Sequence, residues 1–201
     1  MKRLGMVIDL KKCIGCHTCT IACKLDNGTR PGIFWNLVID QEVGTYPAVQ
    51  RRFIPRPCMH CKNAPCVEVC PAEASYQRPD GIVLVDENKC LGCKQCLLAC
   101  PYGARYLNEG KGGYFQAGLT PTEKVLYQGR QYGVVEKCTL CVGKVDKGEE
   151  PACVRACPLQ ARTFGDLNDP DSEVAKLKTS RGCFQILPEL GTEPSVYYLP
   201  F

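Results

Sequence analysis

No apolar run in this 201-residue sequence approaches the ~20 residues that a helix needs to span a bilayer, so no direct membrane span is expected. The opening stretch MKRLGMVIDLKK reaches a cysteine at residue 13. No signal peptide, with its apolar region and cleavage site, is therefore expected. A chain of this kind working outside the cytoplasm is expected to cross with a partner that carries the signal. There is no basic stripe, so no nucleic-acid partner is expected. No phosphate-cradling glycine loop, acid–base pair or nucleophile constellation stands out, so no catalytic residue is expected. Histidine is scarce, with only His17 and His60, and Trp35 is the single tryptophan. The Trp35 ring sits in an apolar, strand-like stretch and reads as buried packing.

Cysteine is abundant. There are seventeen, and sixteen of them fall into four groups of four. Cys90, Cys93, Cys96 and Cys100 follow the spacing C-x2-C-x2-C-x3-C, and Pro101 comes next. That is the ligand run of a bacterial-type [4Fe–4S] ferredoxin. Cys13, Cys16, Cys19 and Cys23 repeat the spacing, with Lys24 in the proline position. Cys58, Cys61, Cys66 and Cys70 precede Pro71, with four residues between the second and third cysteines. Cys138, Cys141, Cys153 and Cys157 precede Pro158, with eleven residues in that gap. Cys183 stands alone and reads as a thiol outside the ligand sets.

Zinc is the main rival occupant. Structural zinc sites usually join two C-x2-C knuckles across a longer spacer. The second and fourth groups taken singly fit that form, and the first and third do not. Such a zinc-stapled scaffold would only assemble partners. His17 and His60 lie inside cysteine loops, but each site already has four cysteines, so neither is read as a ligand. The formal net charge is +4 with the cysteines neutral. Four cubanes, each with four deprotonated thiolates, carry about −2 apiece and bring the total to roughly −4. The apparent basicity is therefore no evidence for an acidic partner.

The segments between the groups repeat a pattern. Leu4 to Asp9 is a short apolar strand leading into the first loop. Residues 20–24 form a short helix, and Asn27 to Gly32 a turn-rich link. Strand regions follow at Ile33 to Val43 and Arg51 to Pro55. Ala64-Pro65 starts a helix carrying Cys66 and Cys70. Asp80-Gly81 is a hairpin turn, and Ile82 to Asp86 a strand. Residues 103–137 hold no cysteine and are punctuated by Lys111-Gly-Gly and Thr120-Pro121. They form either a solvated loop or a docking surface. Arg162 to Gly165 is a strand and Asp169 to Leu177 a capped helix. The end of the chain reads as a partly extended tail.

Three cysteines fit one tight loop, while the next helical turn carries the fourth away toward a neighbouring cluster. The first and fourth groups have no adjacent partner, so they pair with each other around the middle two. Site 1 is then Cys13, Cys16, Cys19 and Cys157. Site 2 is Cys138, Cys141, Cys153 and Cys23. Site 3 is Cys58, Cys61, Cys66 and Cys100. Site 4 is Cys90, Cys93, Cys96 and Cys70. The expected architecture is α+β: two bacterial-ferredoxin-like modules, each binding two [4Fe–4S] clusters. Residues 50–103 form the inner module, inserted in an outer one made of residues 1–49 and 104–201.

The sequence resembles the four-cluster iron–sulfur B subunits of the dimethyl-sulfoxide-reductase family of molybdopterin oxidoreductases. It is most similar to those of polysulfide, thiosulfate and arsenate respiratory reductases. The resemblance is carried by MVIDLKKCIGCHTC, IACK, CPYGARY, KCTLC with PACVRACP, RTFGDLNDP and GTEPSVYYL, and it runs nearly end to end. It implies an electron-transfer subunit with no substrate site of its own. Its partners would be a large molybdopterin catalytic subunit and a membrane anchor or soluble electron carrier. The outer module would face the catalytic subunit and the inner module the donor or acceptor. Some relatives lack one cysteine of the third group and hold a three-iron cluster. Here all four are present, so four [4Fe–4S] cofactors are expected. The complex is expected at the membrane periphery, on the extracytoplasmic side by co-export, with a cytoplasmic location as the alternative. A relay subunit of a hydrogenase or formate dehydrogenase is the alternative.

Overall fold

A computed structural model describes residues 1–110, 112–129, 131–180 and 182–201. The first element is β1 (Leu4–Asp9), and every one of its residues is buried. Such an unbroken apolar run suits a strand covered on both faces. Leu4, Met6 and Ile8 enter the main core, while Val7 packs on the other side with Leu167, Val174 and Leu199. Helix α1 (Thr18–Asn27) follows the first cysteine loop and buries Cys19 and Cys23.

Strands β2 (Asn36–Val43) and β3 (Gln50–Pro57) form an antiparallel hairpin, in register from Asn36↔Pro57 to Val43↔Gln50. Trp35, immediately before β2, is buried in the main core. The hairpin straddles the module boundary expected at residues 49 and 50.

Helix α2 (Pro65–Glu68) starts at Pro65 and carries Cys66. Cys70 lies beyond its end, contrary to the expected helix through both cysteines. Pro71 disfavours helical backbone at the residue before it. Strands β4 (Ser75–Gln77) and β5 (Val83–Val85) pair across the Asp80-Gly81 turn. Helix α3 (Gln95–Ala99) follows the third loop.

The cysteine-free segment is not a plain solvated loop. Its ends pair as β6 (Tyr106–Leu107) and β7 (Val135–Glu136), and α4 (Pro121–Leu126) lies between them, closed by a Thr120–Glu123 capping box. The Arg30 guanidinium pins it to the link between α1 and β2, donating to the Gly112 carbonyl (2.9 Å) and the Tyr132 hydroxyl (2.7 Å). Lys111, which the sequence marks as punctuation, lies outside the described residues, as does Arg130.

Helices α5 (Val142–Val145) and α6 (Ala152–Arg155) flank the fourth group's long gap. Strand β8 (Arg162–Asp166) precedes α7 (Glu173–Ser180). Helix α7 starts later than expected, because Ser172 Oγ takes up the Ala175 amide (3.2 Å) as an N-cap does. The end of the chain differs most from expectation. Val196–Leu199, expected as part of a partly extended tail, is β9, a strand of the main sheet. The sheet order is β8-β1-β9, with β1 antiparallel to β8 and parallel to β9.

Helix α1 packs against α6, and α2 against α3. The helices of the first and fourth cysteine groups therefore meet, as do those of the second and third. No helix among the described residues is long and apolar enough to cross a membrane.

Candidate metal centres

All four cysteine loops bend the same way. The residue two after the first cysteine has a positive φ in each: Gly15 (68°), His60 (44°), Gly92 (64°) and Leu140 (56°). The bend turns the amide of that residue back to the first sulfur in three loops. His60 N donates to Cys58 Sγ (3.5 Å) and Leu140 N to Cys138 Sγ (3.4 Å), and the Gly15 amide serves Cys13. In the third loop Cys90 Sγ takes the Val135 amide instead (3.4 Å). His60 and Leu140 hold a backbone that L-residues adopt only under constraint.

Gly92 has no such latitude. A Cβ there would sit 2.1 Å from the Gly133 carbonyl oxygen. Gly92→Ala is expected to cost about 1–2 kcal/mol from the left-handed backbone alone, and more from the clash. The loop of Cys90 and Cys93 must then shift. Iron content should drop by about one cluster, and Gly32→Ala, which meets open space, serves as the control for backbone strain alone.

The thiols gather in fours across the chain. Cys13, Cys16, Cys19 and Cys157 line one cavity. Cys70, Cys90, Cys93 and Cys96 line a second, and Cys23, Cys138, Cys141 and Cys153 a third. The free space within these cavities is small, about 20, 10 and 10 Å³. Cys58, Cys66 and Cys100 surround Cys61 closely enough to raise its pKa. Among the described residues, no three His, Cys, Asp or Glu side chains converge as a single ion requires. The thiols instead stand around spaces of similar size, as ligands of a multi-iron group do.

Neighbouring groups adjoin. Cys153 feels Cys19, and Cys138 feels Cys58. Arg105 faces Cys66, Cys58 and Cys96. Burial pushes the Cys61 and Cys138 thiols up to about 12, with Cys58 adding to both. Burial also raises Cys23 strongly, together with Cys138, Cys153 and Cys141. Cys16 and Cys93, by contrast, are exposed. Cys16 lies below the usual thiol range because Thr18 bonds it. The raised interior thiols keep their protons until a cation displaces them, so cluster binding and proton release are linked.

The two histidines stand apart from this sulfur set. His60 is fully buried, and its Nδ1 accepts the Val83 amide (3.0 Å). Burial, Lys137 and Arg105 hold it well below the ordinary histidine range, so it is neutral. His17 is exposed and starts α1 in a left-handed conformation. Cys183 packs near the Val7–Val174 cluster and donates to the Leu177 carbonyl (3.4 Å), outside all four sets.

Two families, both described as a 4Fe-4S dicluster domain, match the chain, one at residues 49–120 and again at 116–167, the other at 5–71. The chain is 44% identical to the B subunit of the selenate reductase of Mesobacillus selenatarsenatis, over 96% of this chain and 70% of that one. It is 42% identical to the B subunit of the sulfite dehydrogenase of Allochromatium vinosum, over 100% and 84%. It is 41% identical to the arsenate respiratory reductase iron–sulfur subunit of a Shewanella species, over 98% and 96%. The chain belongs to this family of iron–sulfur B subunits.

Like its family, it is the electron-transfer chain of a multi-subunit oxidoreductase, not the catalytic one, and its cofactors are four [4Fe–4S] clusters. It works beside a catalytic subunit. Sequence reasoning passed over the buried cations of this electron-transfer chain. Arg105, Lys137 and Arg162 are 5%, 2% and 4% exposed. For the arginines a signal was present, a C-P-x-x-A-R repeat at 100–105 and 157–162. Lys137 carries no comparable signal. Its Nζ donates to the Cys138 carbonyl (2.7 Å) and to the Val83 carbonyl.

Proposed function

We propose that the chain relays electrons through its four clusters between a large molybdopterin catalytic subunit and a membrane anchor or soluble carrier. When bound, the clusters supply one-electron uptake and release without proton chemistry of their own. The ligand sets are sites 1 to 4 as defined above, with the fourth cysteine of each group crossing to the paired site. The observation that carries this reading is the lining of the cavities, where Cys157 joins Cys13–Cys19 and Cys23 joins Cys138–Cys153.

The sites form a row, and the chain's residues hold its ends open and its middle dry. Ile14 and Leu91, 59% and 74% exposed, stand beside the outward cysteines of sites 1 and 4. Those two loops are the docking ends, site 1 toward the catalytic subunit and site 4 toward the other partner. Supporting this, Cys23, Cys138 and Cys153 of site 2 and Cys58 and Cys61 of site 3 are buried. The outer module is 1–49 with 104–201 and the inner 50–103, joined by the β2–β3 hairpin and by the Arg78–Asp146 pair (2.8 and 3.0 Å). The complex lies at the membrane periphery on the extracytoplasmic side. Relatives of nearly equal identity are named for selenate, sulfite and arsenate, so the substrate is set by the catalytic chain.

Anaerobic purification tests the reading. A brown complex with about sixteen irons and as many acid-labile sulfides per chain is expected, together with a large chain containing molybdenum or tungsten. Near-stoichiometric zinc with little sulfide sinks it. A stable holo-monomer with no catalytic partner would instead make this a free ferredoxin.

A further inference from the structure

Arg105 and Arg162 each follow a fourth cysteine by five residues, in Cys100-Pro-Tyr-Gly-Ala-Arg105 and Cys157-Pro-Leu-Gln-Ala-Arg162. Both are buried, and their guanidinium groups take equivalent places. Arg105 Nη2 donates to Cys66 Sγ (3.0 Å) and Nη1 to Ser75 Oγ (2.7 Å). Arg162 Nη2 donates to Cys19 Sγ (3.4 Å) and Asn36 Oδ1 (2.9 Å), and Nη1 to Met6 Sδ (3.7 Å). Each also faces a second thiol, Cys96 for Arg105 and Cys153 for Arg162. All four sulfurs belong to the third cysteine of their groups. Arg162 therefore spans sites 1 and 2, and Arg105 spans sites 3 and 4.

Taking a guanidinium out of water is strongly unfavourable unless anions answer it. Cysteines are foremost among the groups that face these two cations. Neutral thiols answer poorly, whereas iron-ligating thiolates are anionic. The two burials are thus matched to loaded sites. Arginine presents several donors in a rigid fork and keeps its charge at any working pH. It can hold two thiolates at once, which a lysine's single ammonium does less well.

We propose that Arg105 and Arg162 are positioning residues that bridge the paired clusters, each donating to one thiolate of both and raising both reduction potentials. Reduction adds one electron to a cluster and makes or breaks no bond in the bridge. The fixed cation favours the more negative, reduced state, with no proton taken up. A residue that only packed the core would leave the potentials unmoved.

The inference rests on the ligand sets proposed above, and the test separates the two. In the purified complex, redox titration followed by low-temperature electron paramagnetic resonance resolves the four clusters, and Cys157→Ser and Cys100→Ser assign signals to sites 1 and 3. Arg162→Met is expected to lower the potentials of sites 1 and 2 together and leave 3 and 4 in place. Arg105→Met is expected to do the reverse. Arg105→Lys and Arg162→Lys, which keep the charge and lose one arm, should give smaller shifts in the same pairs. Pulsed resonance of wild-type protein labelled with 15N-arginine should show guanidinium nitrogen coupled to the reduced clusters, and this reading stands even if the Met variants fail to load. Unmoved potentials in the Lys variants, a shift in only one cluster of a pair, or no nitrogen coupling overturns the bridge. If the cysteine variants change the wrong signals, the ligand sets have failed instead.

Discussion

Cys157→Ser is expected to change the cluster held by residues 13–19 and to spare the one held by Cys138 and Cys141. The separation in sequence is almost 140 residues, so a local reading of the fourth group predicts the opposite. The physical basis is the direction in which the chain leaves the loop. Helix α6 ends at Arg155, and Pro158 follows Cys157. The Cys157 sulfur then accepts the Ala161 amide (3.3 Å) and lines the cavity of Cys13, Cys16 and Cys19. Losing one thiolate of four should remove or reshape a single signal. Iron should fall by up to about four atoms of about sixteen. Cys23→Ser is the mirror experiment and should alter the signal that Cys138→Ser alters. If Cys157→Ser instead disturbs that same signal, each group closes on its own cluster and the two-module pairing is wrong.

The largest effect on stability is expected from Tyr198→Ala in the last strand. Tyr198 is fully buried, its hydroxyl donates to the Pro55 carbonyl (2.8 Å), and its ring lies 5.8 Å from that of Phe184. Emptying a site of this kind costs about 3–5 kcal/mol. The orphaned Pro55 carbonyl adds about 1 kcal/mol. Against a typical stability of about 5–15 kcal/mol, that is a large share. Tyr198→Phe keeps the ring and should lose only the hydroxyl's part. Phe201→Ala, at a half-exposed ring, should be near neutral. Because cluster loss makes unfolding irreversible, the measurement is the anaerobic half-life of the cluster absorbance on warming. A Tyr198→Ala protein as long-lived as wild type would mean that β9 contributes little to the sheet.

The difference between these two sites shows where sequence reading reached and where it stopped. The cysteine loops and the β4–β5 hairpin around Asp80-Gly81 were legible because their signals lie within a few residues. The end of the chain was not. Nothing in Val196-Tyr-Tyr-Leu says that it runs parallel to β1, whose partner residues Met6 to Asp9 lie at the other end of the chain. The cysteine-free segment was equally opaque. Its closure depends on β6 meeting β7 and on Arg30 reaching Tyr132, contacts made across many residues.

What the sequence by itself determined is local chemistry. Cysteine spacing sets how many sulfurs one tight loop can present, and Gly15 and Gly92 supply two of the bends that do it. The apolar run of β1 required burial on both faces. What only the tertiary structure decided is arrangement: the gathering of Cys157 with Cys13 to Cys19 and of Cys23 with Cys138 to Cys153, the burial of Lys137 beside Cys138, and the placing of Arg105 and Arg162 against the thiols. Loop geometry follows from a few neighbouring dihedral angles. Arrangement follows from which faces of α1, α6, α2, α3 and the β8-β1-β9 sheet exclude water together. That is a property of residues far apart in the chain, and no spacing motif records it.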